Sequence, residues 1–376
     1  MSSRILRVTA AALSLPLVLG ITACSEQQSA SSTDSSADTT SASGIDSTFT
    51  GSAEIPEALS EPLDVALVIR TTQGGWLEAY TDAVETEVAA LGGSLQIYDS
   101  QNDLSKMSSN VDTAVNADVD LLLIDNGTQD ALGTSVQKAI DADIPVVAYD
   151  SDFTIDGVVS VSQDDTALAR NGLEQIKTDF DGTAKLVVIS VAGYTPLDNR
   201  LAEVESFISE NPGIEIVAQT GTVSGSASLD TAAQVEAILK AYPDEGEIDA
   251  IWTHWNDFSV GAYQALKSQN RSDVALYTVD LTDQNLPYFW DDTVDFQAAS
   301  ATNPALIGVS QVRLGYELVA GEASTDNLVI EPVVVTKADL PDTEITFAEL
   351  PDYVEGWSKD ATEWPAWIQT LEQQSK

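Results

Sequence analysis

The sequence is poor in the residues that most often carry metal and nucleophilic chemistry. Its 376 residues include one cysteine, Cys24, and one histidine, His254. A single cysteine cannot form an intrachain disulfide, and the two residues supply too few ligands for a zinc or iron–sulfur site. No phosphate-binding GxxxxGK loop and no GxGxxG after a strand is present. We therefore expect no metal, no cofactor and no cysteine–histidine nucleophile.

Positive charge is also scarce. Sixteen Lys and Arg residues stand against 60 Asp and Glu residues, which gives a formal net charge of −44. Such a field repels nucleic acids and anionic lipid surfaces, so we expect neither as a partner. The acidic excess is typical of a solvated shell that keeps an exported protein soluble.

The N-terminus carries an apolar run that is too short to span a membrane. Residues 8–22 follow Arg4 and Arg7 and are interrupted only by small or turn residues, which is the layout of a signal peptide. The run ends in LGITAC, which resembles the bacterial lipobox. The resemblance implies cleavage of residues 1–23, lipidation of Cys24 and an extracytoplasmic protein attached to the cell membrane only by lipid. A buried structural cysteine is the alternative.

The segment after Cys24 has the composition of a linker. Residues 25–60 are rich in Ser, Thr, Ala and Asp, without a periodic apolar pattern. Such a segment cannot bury enough apolar surface to fold alone. We predict a flexible tether over residues 24–61, with a reach of roughly 30 to 35 Å.

Residues 119–152 predict both a fold unit and a polar edge. Two apolar, β-branched runs, 119–124 and 144–149, flank a segment with apolar residues at helical spacing. This pattern predicts two buried parallel strands with a crossover helix. The strands end at Asp125 and Asp150, and in open α/β sheets ligands bind at that edge.

The same alternation of strand and helix patterns continues to about residue 335. It predicts an α/β fold of two doubly wound, Rossmann-like lobes. The predicted boundaries are 62–163 plus 303–325 for the N-terminal lobe, 164–302 plus 326–340 for the C-terminal lobe, and 341–376 for a C-terminal arm packed on the body. The arm contains Trp357, Trp364 and Trp367.

Six segments occur in a characteristic order: VALVIRTTQGGW, YDSQND, DLLLIDNGTQDAL, AIDADIPVVAYDSD, HWNDFSVGAYQAL and LYTVDLT. In order and spacing they resemble the ribose-binding group of periplasmic-type sugar-binding proteins, the type I receptors of ABC importers, over residues 63–340. The resemblance implies that three strands cross between the lobes, near Asp164, near Thr302 and within 322–331. It also implies a ligand in the cleft and closure about this hinge.

The resemblance further implies which residues face the ligand. They are Arg70, Gly74, Trp76, Asp150, Ser151, Arg200, Asn256, Asp280 and Thr302. The set suits a polyhydroxylated ligand, because carboxylates accept hydroxyl hydrogens, guanidinium groups donate and an amide does both. The Trp76 ring could stack on the C–H face of a sugar.

Two positions depart from the pattern of the group. Sugar binders of this group commonly have an Asp–Arg pair where this chain has Asp150 and Ser151, and a small polar residue where it has Arg70. We predict that the guanidinium has moved from one wall of the cleft to another, which makes a polyol or modified sugar possible. The Gly74–Gly75 pair replaces polar and proline residues, so we expect the loop before Trp76 to lie differently from that of the group.

Ordinary structural roles remain open for several of these side chains. Asp150 and Asp280 could cap the helices that follow their strands, and Arg200 could form a surface ion pair. The Asn256–Asp257 pair opens a helix, where we expect Asn256 to face the ligand and Asp257 to act as the cap.

Two neighbouring residues are expected to be structural. His254 is interpreted as a packing residue. Strand alternation places Trp255 on the opposite face from Asn256, so we expect Trp255 to pack within its lobe.

The predicted function is a monomeric solute-binding lipoprotein that captures a small sugar or polyol and delivers it to an ABC permease, without enzymatic activity. A sensory receptor of the same fold, signalling to a histidine kinase or chemoreceptor, is the alternative. A transcription regulator would need a helix-turn-helix, which is missing. A hydrolase would need a carboxylate pair, for which only Asp150 and Asp280 are candidates.

Overall fold

The computed structural model of the chain describes residues 39–40, 45–223, 225–360 and 362–375. The predicted signal peptide, Cys24 and residues 25–38 of the predicted tether lie outside these residues. Within the described part of the chain, no helix is long and apolar enough to cross a membrane.

The strands and helices follow each other in the predicted alternation. The strands are β1 (Thr39–Thr40), β2 (Asp46–Ser47), β3 (Phe49–Thr50), β4 (Asp64–Ile69), β5 (Ser94–Asp99), β6 (Leu121–Asp125), β7 (Val146–Tyr149), β8 (Val158–Gln163), β9 (Ala184–Ile189), β10 (Ile214–Thr220), β11 (Ala250–Thr253), β12 (Ala275–Val279), β13 (Asp295–Ala301), β14 (Asn327–Ile330), β15 (Val333–Thr336) and β16 (Trp364–Pro365). The α-helices are α1 (Gly75–Ala90), α2 (Leu104–Asn116), α3 (Gln129–Asp141), α4 (Asp165–Asp179), α5 (Thr195–Glu210), α6 (Ala227–Ala241), α7 (Asn256–Gln269), α8 (Pro304–Ala320) and α9 (Ala366–Gln374). Short 3-10 helices span Glu57–Leu59, Leu286–Trp290, Lys337–Asp339 and Phe347–Asp352.

Two six-stranded sheets form the cores of two lobes. The order is β14-β8-β7-β6-β4-β5 in the N-terminal lobe and β10-β9-β11-β12-β13-β15 in the C-terminal lobe. All neighbours are parallel except β15, which runs antiparallel to β13. Every residue of β6 and β7 is buried, because helices cover both faces of the sheet. The predicted fold class, two doubly wound lobes of the periplasmic binding protein type, is confirmed.

The chain passes between the two sheets at three places. These are Asp164, between β8 and α4; Thr302 and Asn303, between β13 and α8; and Glu331 and Pro332, between β14 and β15. Asp164 and Asn303 also cap the helices that follow them, with Oδ1 of each accepting a backbone N–H.

The third crossing comes later than the predicted domain boundary. Residues 326–340 were assigned wholly to the C-terminal lobe, yet β14 pairs with β8 of the N-terminal sheet. Leu328 and Ile330 point into the core of that lobe and are buried. The boundary at residue 326 is therefore wrong, and the segment changes lobe only after Ile330.

The tether predicted over residues 24–61 is wrong for residues 45–61. Ile45 and Leu59 are buried in the core of the N-terminal lobe, and β3 pairs with β16 of the arm. These apolar residues are too widely spaced to show a helical or strand period. They become buried only because distant segments supply their partners.

The C-terminal arm contacts both lobes in turn. Val354 and Trp357 are buried in the C-terminal lobe, whereas Trp364 and Trp367 are buried in the N-terminal lobe. Between them Ser358 lies at the hinge, where its Oγ accepts a hydrogen bond from Asn303 Nδ2 at 3.2 Å. The arm thus connects the lobes a fourth time.

A buried ionic cluster holds both terminal segments on the N-terminal lobe. Arg313, in the middle of α8, is fully buried and donates to Glu87 of α1 at 2.6 Å and to Ser47 at 2.8 Å. It also pairs with Asp360 at 3.3 Å and Glu372 at 3.0 Å, both in the arm. Burial raises the pKa of Glu87 to about 7, against the opposing effect of Arg313.

Candidate functional site

A cavity of about 70 Å³ lies between the lobes at the carboxyl ends of the parallel strands. The N-terminal lobe contributes Arg70, Trp76, Asp125, Asn126, Tyr149 and Asp150 to its wall. The C-terminal lobe contributes Tyr194, Leu197, Arg200, Val223, Trp255 and Asp280. The mixture of apolar and convergent polar groups is typical of a small-molecule site.

Five of the nine residues predicted from the sequence line this cavity. They are Arg70, Trp76, Asp150, Arg200 and Asp280. Asp150 and Asp280 each follow the last residue of a parallel strand, β7 and β12, in the left-handed region with φ of 45° and 70°. Neither caps a helix, and Arg200 is buried rather than at the surface. These five side chains thus line one cavity, and their contact with a ligand stays a prediction.

Ser151 and Thr302 make structural contacts and do not line the cavity. Ser151 Oγ donates to the Tyr149 carbonyl at 2.9 Å and accepts from the Gly127 N–H at 3.0 Å, so it ties two strand ends together. Thr302 lies at the second crossing, where its hydroxyl donates to Gln163 Oε1.

Gly74 and Asn256 lie where the two lobes meet, outside the cavity wall. At Gly74, with φ of 107°, an added Cβ would be 2.9 Å from the Trp255 ring, so glycine is needed for the lobes to approach. Asn256 is fully buried at the first residue of α7, and its Oδ1 has no hydrogen-bond partner.

A glutamine at the hinge positions Asp150. Gln163, the last residue of β8, donates from Nε2 to Asp150 Oδ2 at 3.1 Å and to the Tyr149 hydroxyl at 2.7 Å. Since Gln163 also accepts from Thr302, the cavity wall is linked directly to two of the crossings. A rotation at the hinge would therefore move Asp150.

The C-terminal lobe holds Arg200 in a fixed orientation. Its Nε donates to Asp165 Oδ1 at 2.9 Å, and Nη1 donates to the His254 carbonyl at 2.9 Å. The same Nη1 lies 3.5 Å from Asp280 Oδ2. None of these bonds involves Nη2.

Three buried polar atoms of the wall lack a protein partner. They are Oδ2 of Asp125, Oδ1 of Asp280 and Nε1 of Trp76. A buried polar atom without a partner costs about 1 to 3 kcal/mol. Two acceptors and one donor at the edge of one cavity are what a ligand with several hydroxyl groups would satisfy.

Burial raises the pKa of three carboxyl groups of the wall, those of Asp125, Asp150 and Asp280. The pKa of Asp280 is raised to about 6 and that of Asp150 to about 7, in both cases chiefly by burial and against the influence of Arg200. Burial and the charge of Asp150 raise the pKa of Asp125 well above its ordinary value. Asp150 and Asp280 can therefore change protonation near neutral pH.

Three aromatic rings of the N-terminal lobe, those of Trp76, Tyr80 and Tyr149, stack on one another. Trp76 stacks on Tyr149 at 5.8 Å and on Tyr80 at 5.9 Å between ring centres. Trp76 is only 4% exposed, so its position is set by these rings.

Arg70 bridges the two lobes. Its Nη1 donates to the Gly193 carbonyl of the C-terminal lobe at 2.8 Å, and its Cζ lies 3.7 Å from the centre of the Tyr194 ring. Arg70 Nε and the Tyr194 hydroxyl both donate to Asn102 Oδ1, at 3.0 and 2.7 Å. Its contacts with the Gly193 carbonyl and the Tyr194 ring thus connect the lobes, whereas its bond to Asn102 lies within the N-terminal lobe.

Of two predictions about the segment before α7, one is confirmed in part and one is wrong. Trp255 packs against Phe258 and the core of its lobe, as predicted, but it also lines the cavity, because β11 ends at Thr253 and strand alternation does not extend to it. Asp257 is the second residue of α7 and not its cap, a position held by Trp255. His254 is fully buried and its Nε2 accepts from the Val191 N–H, a structural contact.

Sequence reasoning missed several residues of the wall. Asp125 ends an apolar strand as Asp150 does, so its signal was visible but was not used for the site. Tyr194, Val223 and Trp255 lie on loops and at a helix start, where no periodicity reveals which way a side chain points. Among the described residues, no group of three or more potential metal ligands comes together.

The chain was compared with known families and curated proteins. The family described as "Periplasmic binding protein domain" matches residues 65–323. The ribose import binding protein of Salmonella typhimurium is 25% identical over 260 residues, which cover 69% of this chain and 85% of that protein.

Solved structures match a larger share of the chain. A sugar ABC transporter protein from Yersinia enterocolitica superposes with a TM-score of 0.83 and 26% identity, covering 87% of this chain and all of that one. A 5-methylthioribose transporter solute-binding protein from Thermotoga lettingae, solved with 5-methylthioribose, gives 0.80 and 28%, covering 85% of this chain and all of that one. These relatives are solute-binding components of transporters and not enzymes.

Proposed function

The chain belongs to the periplasmic binding protein domain family, and on that premise we propose that it captures a small sugar or polyol between its lobes for an ABC permease. The main support is the group of unpartnered buried atoms of Asp125, Asp280 and Trp76 at one cavity. Relatives whose names state ribose and 5-methylthioribose as ligands support a pentose-sized compound.

In this proposal the ligand satisfies the unpartnered atoms of both lobes at once. Hydroxyl groups donate to Asp125 and Asp280, and Trp76 Nε1 donates to a ligand oxygen. Arg200 donates from Nη2, while Asp150 accepts a further hydroxyl. Because Asp125 and Asp280 belong to different lobes, the ligand stabilises the closed arrangement.

The proposed location rests on the predicted signal peptide, and the proposed permease partner rests on the relatives. Cys24 carries the lipid anchor, and the monomeric receptor remains extracytoplasmic beside the permease. Transport is favoured over signalling because both solved relatives are described as transporter proteins, one of them as an ABC transporter. Deleting the gene should abolish uptake of the radiolabelled ligand.

Binding is tested by isothermal titration calorimetry of the purified protein with ribose, xylose, glucose, 5-methylthioribose, ribitol and xylitol. Saturable 1:1 binding of at least one compound supports the proposal. If no member of a wider panel of sugars and alditols binds or shifts the melting temperature, the proposed ligand class is wrong.

Ligand affinity is expected to fall in acid. Asp280, whose pKa is about 6, accepts hydroxyl hydrogens more strongly when it is ionised than when it is protonated. The ligand therefore favours the ionised form, so binding releases a proton below the pKa of the free protein. We expect about tenfold weaker binding at pH 5 than at pH 8. Calorimetry in two buffers of different ionisation enthalpy would show the released proton. Equal or tighter binding at pH 5 would contradict this role.

Removing the bridge at Arg70 is expected to weaken all ligands alike. Arg70→Met abolishes the bond to Gly193 and the contact with the Tyr194 ring, which connect the lobes and favour the closed state without selecting a hydroxyl pattern. We expect a loss of about tenfold in affinity for each ligand that binds. The matched control is Arg170→Met, at a surface ion pair far from the cavity. A loss that differs strongly between ligands would instead indicate direct contact with Arg70.

A further inference from the structure

The C-terminal arm passes from one lobe to the other within four residues, 357–360, which we call the strap. Trp357 is buried in the core of the C-terminal lobe. Asp360 pairs with Arg313 of the N-terminal lobe at 3.3 Å. Only Ser358 and Lys359 lie between these two anchors. Three steps of 3.8 Å along the chain cannot hold the anchors more than about 11 Å apart.

Both ends of the strap are fixed by several contacts. In the C-terminal lobe, the Trp357 ring packs edge-on against Phe347 at 5.4 Å between ring centres. On the N-terminal lobe, the Asp46 N–H donates to the Ser358 carbonyl at 2.9 Å, and the Asp360 N–H donates to the Asp46 carbonyl at 3.2 Å. A rotation of one lobe relative to the other must therefore act on the strap.

The strap runs along the side of the hinge that faces away from the cavity. Thr302 and Asn303 are successive residues of the second crossing, where Asn303 has an extended backbone. The Thr302 hydroxyl donates to Gln163, which in turn bonds Asp150 in the cavity wall. Asn303 Nδ2 donates instead to Ser358 Oγ at 3.2 Å. Since successive side chains of an extended chain point to opposite sides, the strap lies behind the hinge.

This position decides how the strap responds when the cleft opens. Opening moves the lobes apart on the cavity side of the hinge and toward each other on the opposite side. That side is already filled, because Ser358 is 7% and Trp357 2% exposed. Close-packed side chains cannot be compressed further without displacing their neighbours. The three crossings can absorb a rotation through their backbone angles, but the strap resists it.

We propose that the strap limits opening of the lobes, so that the protein without ligand stays near the closed arrangement. This inference goes beyond the proposed function and does not depend on which ligand the cleft binds. A receptor held near its binding-competent arrangement binds more tightly, since the apparent dissociation constant is the intrinsic one divided by the competent fraction. Loosening the strap should therefore weaken all ligands by the same factor.

The first test lengthens the strap and needs no ligand. Insertion of Gly-Ser-Gly between Ser358 and Lys359 should increase the radius of gyration of the free protein in small-angle X-ray scattering. The control is the same insertion between Asp342 and Thr343, two exposed residues of the arm before the strap. It should leave the radius as in the unmodified protein. Equal radii for the two insertions would show that the strap does not limit opening.

The second test keeps the chain length. Ser358→Ala removes the acceptor of the Asn303 bond and should weaken ribose, 5-methylthioribose and xylitol, where they bind in calorimetry, by one common factor of about two- to tenfold. The control, Ser375→Ala, makes the same change at the exposed end of the arm and should leave affinity unchanged.

Two outcomes of the calorimetry contradict the inference. One is unchanged affinity in a Ser358→Ala variant that melts normally, and the other is a loss that differs strongly between ligands. If none of the three compounds binds even the unmodified protein, nor any other sugar or alditol, the proposed function fails. The scattering comparison of the two insertions still decides the role of the strap in that case.

Discussion

Replacing Asp280 by asparagine is expected to weaken sugar binding by about 10- to 150-fold, because hydrogen bonds to a charged group contribute about 1.5 to 3 kcal/mol. Asp280 is 3% exposed, its Oδ1 has no protein partner, and its Oδ2 lies 3.5 Å from Arg200. Asparagine keeps the shape but removes the charge and one acceptor. The measurement is the dissociation constant of the tightest ligand at pH 8.

The control for this variant is Asp283→Asn, which makes the same change at an exposed position three residues along the chain. It should bind as the unmodified protein does. The variant at Asp280 should also show a smaller loss of affinity between pH 8 and pH 5, since one titrating group is gone while Asp150, whose pKa is about 7, remains. If Asp280→Asn retains affinity within twofold and melts normally, Asp280 does not contact the ligand.

The residues that the sequence identified well are those at the ends of buried strands. Asp150 and Asp280 each follow a run of apolar residues, and a parallel sheet brings such strand ends to one edge. Their position depends on local periodicity and one topological rule. Asp125 obeys the same rule, so it too could have been assigned from sequence.

The residues that sequence reasoning misplaced depend on distant parts of the chain. Trp255 reaches the cavity because β11 stops two residues earlier, and a strand end cannot be located that closely from propensity. Arg70 carries the guanidinium that the sequence analysis noticed, but its partner Gly193 is 123 residues away. Whether it bridges the lobes or contacts a ligand is decided by the approach of the lobes.

The folding of the N-terminal and C-terminal segments also depends on distant parts of the chain and could not be predicted from local sequence. Residues 45–61 have a linker-like composition, yet they are folded because α8 and the arm supply partners. Ser47 binds Arg313, which is 266 residues away. Composition measures whether a segment can fold alone, and this segment does not fold alone.

Replacing Arg313 by methionine is therefore expected to destabilise the N-terminal lobe by about 3 to 5 kcal/mol, the usual cost of leaving buried charges unpaired. Methionine fills a similar volume but leaves Glu87, Asp360 and Glu372 without their common cation. The melting temperature should fall by about 6 to 10 °C. The arm, which loses two of its ion pairs, should become more susceptible to limited proteolysis within residues 341–376.

The loss of stability caused by Arg313→Met should grow as the pH rises. The pKa of Glu87 is about 7 in the folded protein, above its ordinary value, so the folded state holds a proton that the unfolded state has released. The stabilising effect of that proton is complete below about pH 4.5 and is lost as the pH rises to 7. Without Arg313 the pKa rises further, which makes ionisation more costly. The variant should therefore lie closer to the unmodified protein at pH 5 than at pH 8.

The surface variant Arg170→Met is the matched control, since it removes an arginine whose side chain is 35% exposed and which pairs with Glu203 and Glu210, outside the ionic cluster. Its melting temperature should change little at either pH. A melting temperature of Arg313→Met that equals that of the control at pH 8 would show that packing, rather than the ionic cluster, holds the terminal segments. A deficit that is equal at pH 5 and pH 8 would show that the lost side-chain volume, and not unpaired charge, is responsible.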